Sequence, residues 1–162
     1  MTKLEKTVIK ILTILMTTAC TNTQPGSSQQ QEVKKPICTK ANIKTISFHA
    51  ASDTKNDKWQ KMTEGGRDFY YQPTPAFTSN EIESLVLVSE EDTKPYLRGK
   101  LTEKGKALLA ETTEALAKQG GYLLIQRQDE VVSIPKVQAK ITSGVVALMS
   151  YNDLKWTDYC SN

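Results

Sequence analysis

The chain reads as an α+β protein: a small mixed or antiparallel sheet with one main amphipathic helix packed on one face and a short second helix. Three observations predict this. Residues 102–118 carry helix-forming residues behind a hydroxyl cap at Thr102 and in front of a Gly120-Gly121 stop. Short apolar or alternating runs of strand length lie on both sides of that helix. Glycine, proline and acidic turn clusters separate those runs at short intervals.

Taken in order, residues 1–19 form a targeting segment. Lys3, Lys6 and Lys10 surround and precede an apolar run at 11–16, which small residues Thr17, Thr18 and Ala19 connect to Cys20. A basic region, a short apolar region and small residues before a cut define a secretory leader. The apolar run is well short of the roughly 20 residues that span a bilayer. Ending at a cysteine, the segment resembles a bacterial lipoprotein signal, although Thr17 stands where leucine is usual. Acyl chains such as palmitate on Cys20 would anchor the protein, at roughly 0.8 kcal/mol per buried methylene. Plain secretion and an uncleaved anchor are the alternatives. Residues 20–37 are polar, rich in Gln, Ser, Pro and Gly, and read as a disordered tether. Thr21 is not the aspartate of an inner-membrane retention signal, which points to the outer membrane. A single globular domain is expected over residues 38–162.

In that domain, Ile46, Phe48 and Ala50 alternate with Ser47 and His49, placing His49 on a polar strand face. A strand or helical turn at 59–62 and the Gly65-Gly66 turn precede Phe69, Tyr70 and Tyr71, residues that favour strands. Thr78 and Glu81 have capping-box spacing and predict the short second helix. Residues 85–101 read as a hairpin around the acidic turn at 89–94. In the main helix, Leu101, Leu108, Thr112, Ala115 and Leu116 recur at near-helical spacing, and Glu114 precedes Lys118 by four. Gly105 costs about 1 kcal/mol inside a helix, so close approach to the sheet must require it. A buried-type strand at 122–126, a polar turn and a partner at 131–134 follow. Pro135 ends that partner, 137–141 is a further extended piece, and Ser143-Gly144 turns into a final strand at 145–151.

Charge excludes one class of partner. The net charge is +3, of which residues 1–19 hold +2, so the remainder is close to neutral and nucleic acid is not an expected ligand. If Cys20 carries lipid, Cys38 and Cys160 are left as an even pair in an oxidising compartment. A disulfide between them would close most of the domain and contribute about 4–5 kcal/mol on the chain-entropy model. The competing reading is a reactive thiol with His49 as its base. No metal site or cofactor is expected: His49 lacks partner ligands, and the 90–92 acidic run lacks the glycine and spacing of a calcium loop.

The motif order from 69 to 151 resembles the head subdomain of the first periplasmic domain of SecD, a component of bacterial protein export. The family's L-T-x-x-G pattern is matched by Leu101, Thr102 and Gly105, and its L-D-G-x-V-x-S-A-P pattern, shortened by one position, by residues 128–135, including Asp129, Val131, Ser133 and Pro135. Its I-x-x-G turn is matched by Ile141 and Gly144, and residues 76–82 are similar to the segment before its first helix. Glu130 replaces the turn glycine and Ile134 the small residue before proline. The sequence holds neither the family's six membrane helices nor the base of its periplasmic domain, so the resemblance implies a fold and not proton-driven export. It also implies contact with a polypeptide.

The function expected is therefore a non-catalytic periplasmic binding module, tethered by lipid in the bacterial cell envelope and contacting a protein or peptide partner. Phe69, Tyr70, Tyr71 and Tyr96 are the candidate contact surface, with sheet packing as their other reading. A structural subunit of an envelope complex is the alternative. A thiol-dependent enzyme is the weakest reading, because nothing in the chain groups a nucleophile, a base and an oxyanion donor.

Overall fold

A computed structural model describes residues 37–89, 94–149 and 155–161. The leader, Cys20 and all of the tether except Ile37 lie outside the described residues, as do the acidic residues 90–92 and Tyr151. The elements are β1 (Cys38–Thr39), β2 (Ile46–Ser52), β3 (Gln60–Glu64), β4 (Arg67–Tyr71), β5 (Phe77–Thr78), β6 (Ile82–Val88), β7 (Tyr96–Leu101), α1 (Glu103–Gln119), β8 (Tyr122–Arg127), β9 (Glu130–Ser133) and β10 (Val145–Leu148). They form an α+β fold with two antiparallel sheets instead of one. The smaller has the order β1-β6-β7-β10; the larger runs β3-β4-β2-β8-β9, with β5 also paired to β2.

Both sheets and α1 contribute to one core. Ile46, Phe48, Leu123 and Ile125 of the large sheet meet Leu85, Leu97, Val146 and Leu148 of the small sheet, with Leu109 and Leu116 of the helix. Phe48 stacks on Phe77 with ring centroids 4.3 Å apart. The other face of the large sheet carries a second cluster of Ala51, Phe69, Tyr122, Leu124 and Ile134. β2 and β8 are therefore buried on both sides. That corrects the placing of His49 on a solvated face: it is only 5% exposed. Its Nδ1 donates to the Gln72 carbonyl at 2.8 Å, and its Nε2 lies 2.9 Å from Ser47 Oγ. The β3–β4 hairpin builds this second layer. It closes through Gly65 and Gly66, both at positive φ, as a two-residue hairpin turn requires.

The short second helix is a single 3₁₀ turn, Ser79–Glu81, because the β-branched run of β6 begins at once with Ile82. Thr78 Oγ1 accepts from Asn80 N at 3.4 Å, but Glu81 does not complete a capping box. Its carboxylate instead accepts from Thr102 Oγ1 at 2.8 Å and Lys104 Nζ at 3.0 Å. Beside the Lys104 ammonium and the Thr102 hydroxyl, the Glu81 carboxyl is held below the usual carboxylate range. Glu81 also takes the Thr102 backbone N–H at 2.9 Å, so one residue fastens the β7–α1 corner.

Thr102 caps α1 by accepting from Gly105 N at 3.0 Å, and Gly120 ends it in the left-handed conformation. The buried stripe is Gly105, Leu109, Thr113 and Leu116. Leu101 and Leu116 are buried as expected, but between them the stripe lies one position round from the expected Leu108, Thr112 and Ala115, of which Ala115 is exposed. The close approach at Gly105 sets that rotation: a Cβ there would lie 2.7 Å from the Glu81 carbonyl oxygen. The residues at 137–141 do not form a strand. They cross α1, held by Thr113 Oγ1 accepting from Ile141 N at 2.8 Å and by Lys140 with Glu114 at 2.8 Å. Gly144 then turns the chain at positive φ where a Cβ would lie 3.2 Å from Lys106 Cδ, and its carbonyl accepts from Leu101 N at 2.9 Å, leading β10 onto β7.

Candidate functional site

β10 lies at the end of the small sheet and β9 at the end of the large one, and an open apolar groove runs between these edges. Its volume is about 510 Å3. Leu109 of α1 and Leu123 and Ile125 of β8 form part of its lining, together with Ile141, Val145 and Met149. Ile141 is 38% exposed, Val145 37% and Met149 58%, and these are the large apolar side chains left in solvent among the described residues. All three belong to this one groove. Exposed apolar side chains scattered singly mean little; gathered at one concavity they mark a binding surface.

The β10 ladder shows which of its backbone groups are available. Gly144 and Leu101 are opposite one another, and the Leu101 N–H donates to the Gly144 carbonyl. Antiparallel pairs alternate between bonded and non-bonded residues. Val146 and Leu148 therefore direct their backbone groups to β7, and Val145, Ala147 and Met149 direct theirs to the open edge. The Val145 N–H is partly occupied by Ser143 Oγ at 3.4 Å. No described strand pairs with that edge.

Two cations border the site. Lys94 contributes to the groove, and Arg98 on β7 lies opposite Ala147. Both are exposed, and neither has an ion-pair partner among the described residues. Lys100, next along that face, is bound to Glu83 at 2.6 Å. A second, smaller concavity of about 140 Å3 beside Lys44, Arg127, Gln128 and Asp158 is polar and already cross-linked, with Arg127 and Asp158 3.3 Å apart.

The aromatic residues singled out from sequence are placed elsewhere. Phe69 is buried edge-on against Tyr122, with centroids 5.2 Å apart, so it packs the second cluster. Tyr71 is half-buried, 5.5 Å from the His49 ring, and Tyr70 is half-buried beside it on β4. Tyr96 starts β7 in the other sheet, opposite Val88. None of the four lines the groove. Of the motif residues, Thr102, Gly105 and Gly144 meet at the β7–α1 corner, Asp129 is exposed in the β8–β9 turn, and Pro135 lines the groove. Cys38 and Cys160 form a disulfide across 122 residues, with Cα atoms 5.9 Å apart. Their sulfurs are thus not free thiols, and the His49 ring is bonded to Gln72 and Ser47. No three His, Cys, Asp or Glu side chains gather as a metal site among the described residues.

The groove residues escaped the sequence reading because five separate segments supply them: Lys94, Leu109, the pair Leu123 and Ile125, the pair Ser133 and Pro135, and the stretch 141–149. One signal was present: in Val145-Val-Ala-Leu-Met149, both alternating sets hold apolar residues, so the strand is either covered on both faces or leaves one apolar set outward.

No protein-family model matches the sequence, and no curated protein matches it. Two solved structures do match in fold. One is SecDF, described as a membrane component that enhances protein export: the TM-score is 0.51 at 18% identity, over 67% of this chain and 56% of that one. The other is SecDF in a super-membrane-facing form, with TM-score 0.51 and 15% identity over 67% of this chain and 17% of that one. The matched region spans about half the length of the first and under a fifth of the second. The fold of this chain is therefore similar to part of SecDF.

Proposed function

We propose that this chain is a non-catalytic binding module of the bacterial envelope, related to protein export and held at the membrane, facing the periplasm, by lipid on Cys20. It takes up an extended polypeptide segment along β10. The observation that carries this reading is the open β10 edge running beside an apolar groove whose rim exposes Ile141, Val145 and Met149. Strand addition uses such an edge for backbone hydrogen bonds and the adjacent pocket for alternate side chains. The likeness to part of a protein that enhances export supports a polypeptide as the occupant.

Ala147→Pro tests it. Proline at 147 removes an N–H directed to the open edge and leaves the Val146 and Leu148 bonds to β7 in place, a position where strands tolerate it. Binding of a labelled, permanently unfolded polypeptide should fall by about tenfold, on the loss of a backbone hydrogen bond and strand continuity. Met149→Asp should weaken it as well. If neither change alters binding, the β10 reading is wrong. Photocrosslinking from position 149 in cells separates the two uses of the edge: many clients indicate capture, and one stoichiometric partner indicates an assembly subunit.

A further inference from the structure

We infer that the segment accepted by β10 alternates apolar residues with acidic ones, and that Arg98 and Lys94 read the acidic positions. This rests on the reading of β10 as a strand-addition edge and specifies what the edge selects.

A strand beside β10 would have two faces. Side chains on its inner face would enter the groove against Leu109, Leu123 and Ile125, where only apolar groups are at home. Side chains on its outer face would lie next to Val145, Ala147 and Met149. Beyond those residues stands β7, whose outer face presents Arg98 and Lys100. Strands are spaced about 4.8 Å apart, so the added strand would lie roughly 10 Å from β7. Ala147 lies directly between Arg98 and the added strand. A side chain that ends at Cβ leaves the path across β10 open, and an arginine and a glutamate together can span it. Lys94 stands at the groove itself.

Among the described residues, Arg98 lacks an ion-pair partner for a reason visible in the register. Lys100 has Glu83 nearby, whereas the residues facing Arg98 are Val86 on one side and Ala147 on the other. Neither can neutralise it. A second copy of this chain paired through β10 would bring the same cations and the same exposed apolar residues together, so like charges would face each other across the joint. The charge pattern therefore favours an acidic partner strand over self-association.

The test compares three short labelled peptides, each alternating valine with glutamate, serine or lysine, by fluorescence anisotropy on the full chain. Two part-exposed ion pairs predict that the glutamate peptide binds about three- to tenfold more tightly than the serine peptide, with lysine the weakest. That preference should shrink as ionic strength rises from about 0.05 to about 0.5 M. Arg98→Glu should reverse the order of glutamate and lysine, and Lys94→Glu should reduce the difference independently. Equal binding of all three peptides, each weakened about tenfold by Ala147→Pro, would overturn the acidic preference and leave the strand-addition reading standing. Binding of none would remove both. Arg98-dependent binding to anionic phospholipid vesicles that the glutamate peptide does not displace would also overturn it, in favour of a lipid surface.

Discussion

Gly105→Ala should destabilise the fold, although glycine is the poorer helix former. At a solvent-exposed helical position this exchange stabilises by about 1 kcal/mol. Here the added Cβ would lie 2.7 Å from the Glu81 carbonyl oxygen, 2.8 Å from Glu81 Cβ and 3.2 Å from Leu101 Cβ. None of these atoms is the far end of a flexible side chain, so the helix must move off the β7–α1 corner. Overpacking of this kind costs about 1–3 kcal/mol. The same movement stretches the two bonds between Thr102 and Glu81, at 2.9 and 2.8 Å, each worth about 1 kcal/mol. The propensity gain offsets only part of this, and a net loss of about 1–3 kcal/mol remains. With a urea slope of about 1–3 kcal/mol per molar, the midpoint should fall by about 1 M. Ala107→Gly, at an exposed position of the same helix, is the control and should lose about 1 kcal/mol. A Gly105→Ala midpoint that rises by the propensity increment would show that Glu81 does not constrain the helix.

Three further outcomes are expected. Thr113→Val keeps the shape but removes the acceptor for the Ile141 N–H; it should cost about 1–2 kcal/mol by chemical denaturation. It should also weaken peptide binding, since Ile141 forms the groove rim. Replacing both Cys38 and Cys160 by alanine should lower stability by about 4–5 kcal/mol for a loop of this length, read as the difference between oxidised wild type and variant. Lys140 first, and then Lys118, bring the Glu114 carboxyl down to about 2. A carboxyl depressed on folding stabilises fully above its unfolded value and loses that contribution as pH falls toward the folded one. Glu114→Gln should therefore flatten the stability profile between about pH 4.5 and 2, leave its slope near neutrality unchanged, and matter less in high salt.

What was legible in the sequence was local. Thr102, Gly105 and Gly120 act within a few residues of themselves, so both ends of α1 and its close approach could be read directly. The hairpin read at 85–101 follows from turn chemistry in the same way, whereas 59–62 could be read as a strand or a helical turn and shows itself as half of a hairpin only in the fold. The rotation of α1 was not legible, because Leu108 and Leu109 are adjacent and equally apolar. Only the contact between Gly105 and Glu81, 24 residues upstream, selects Leu109 for the core. His49 looked solvated because period-two alternation reports one buried face and cannot show that the β3–β4 hairpin builds a second cluster over the other. For the same reason the sequence left contact surface and sheet packing both open for Phe69, Tyr70 and Tyr71. The groove depends on β10 joining β7 and not β9, a long-range choice that no local pattern records.

The disulfide has a mechanical consequence. A pull applied between Ile37 and Ser161 would enter the fold next to Cys38 and leave it next to Cys160, so the covalent bond would carry the load. The hydrogen bonds from Lys44 N to the Tyr159 carbonyl and from Ser161 N to the Asn42 carbonyl lie beside the same short path. Tension would bypass β7, α1 and β10 entirely. The groove could keep its shape while the two ends of the domain are under strain, as a handle bolted to a single plate keeps the plate flat.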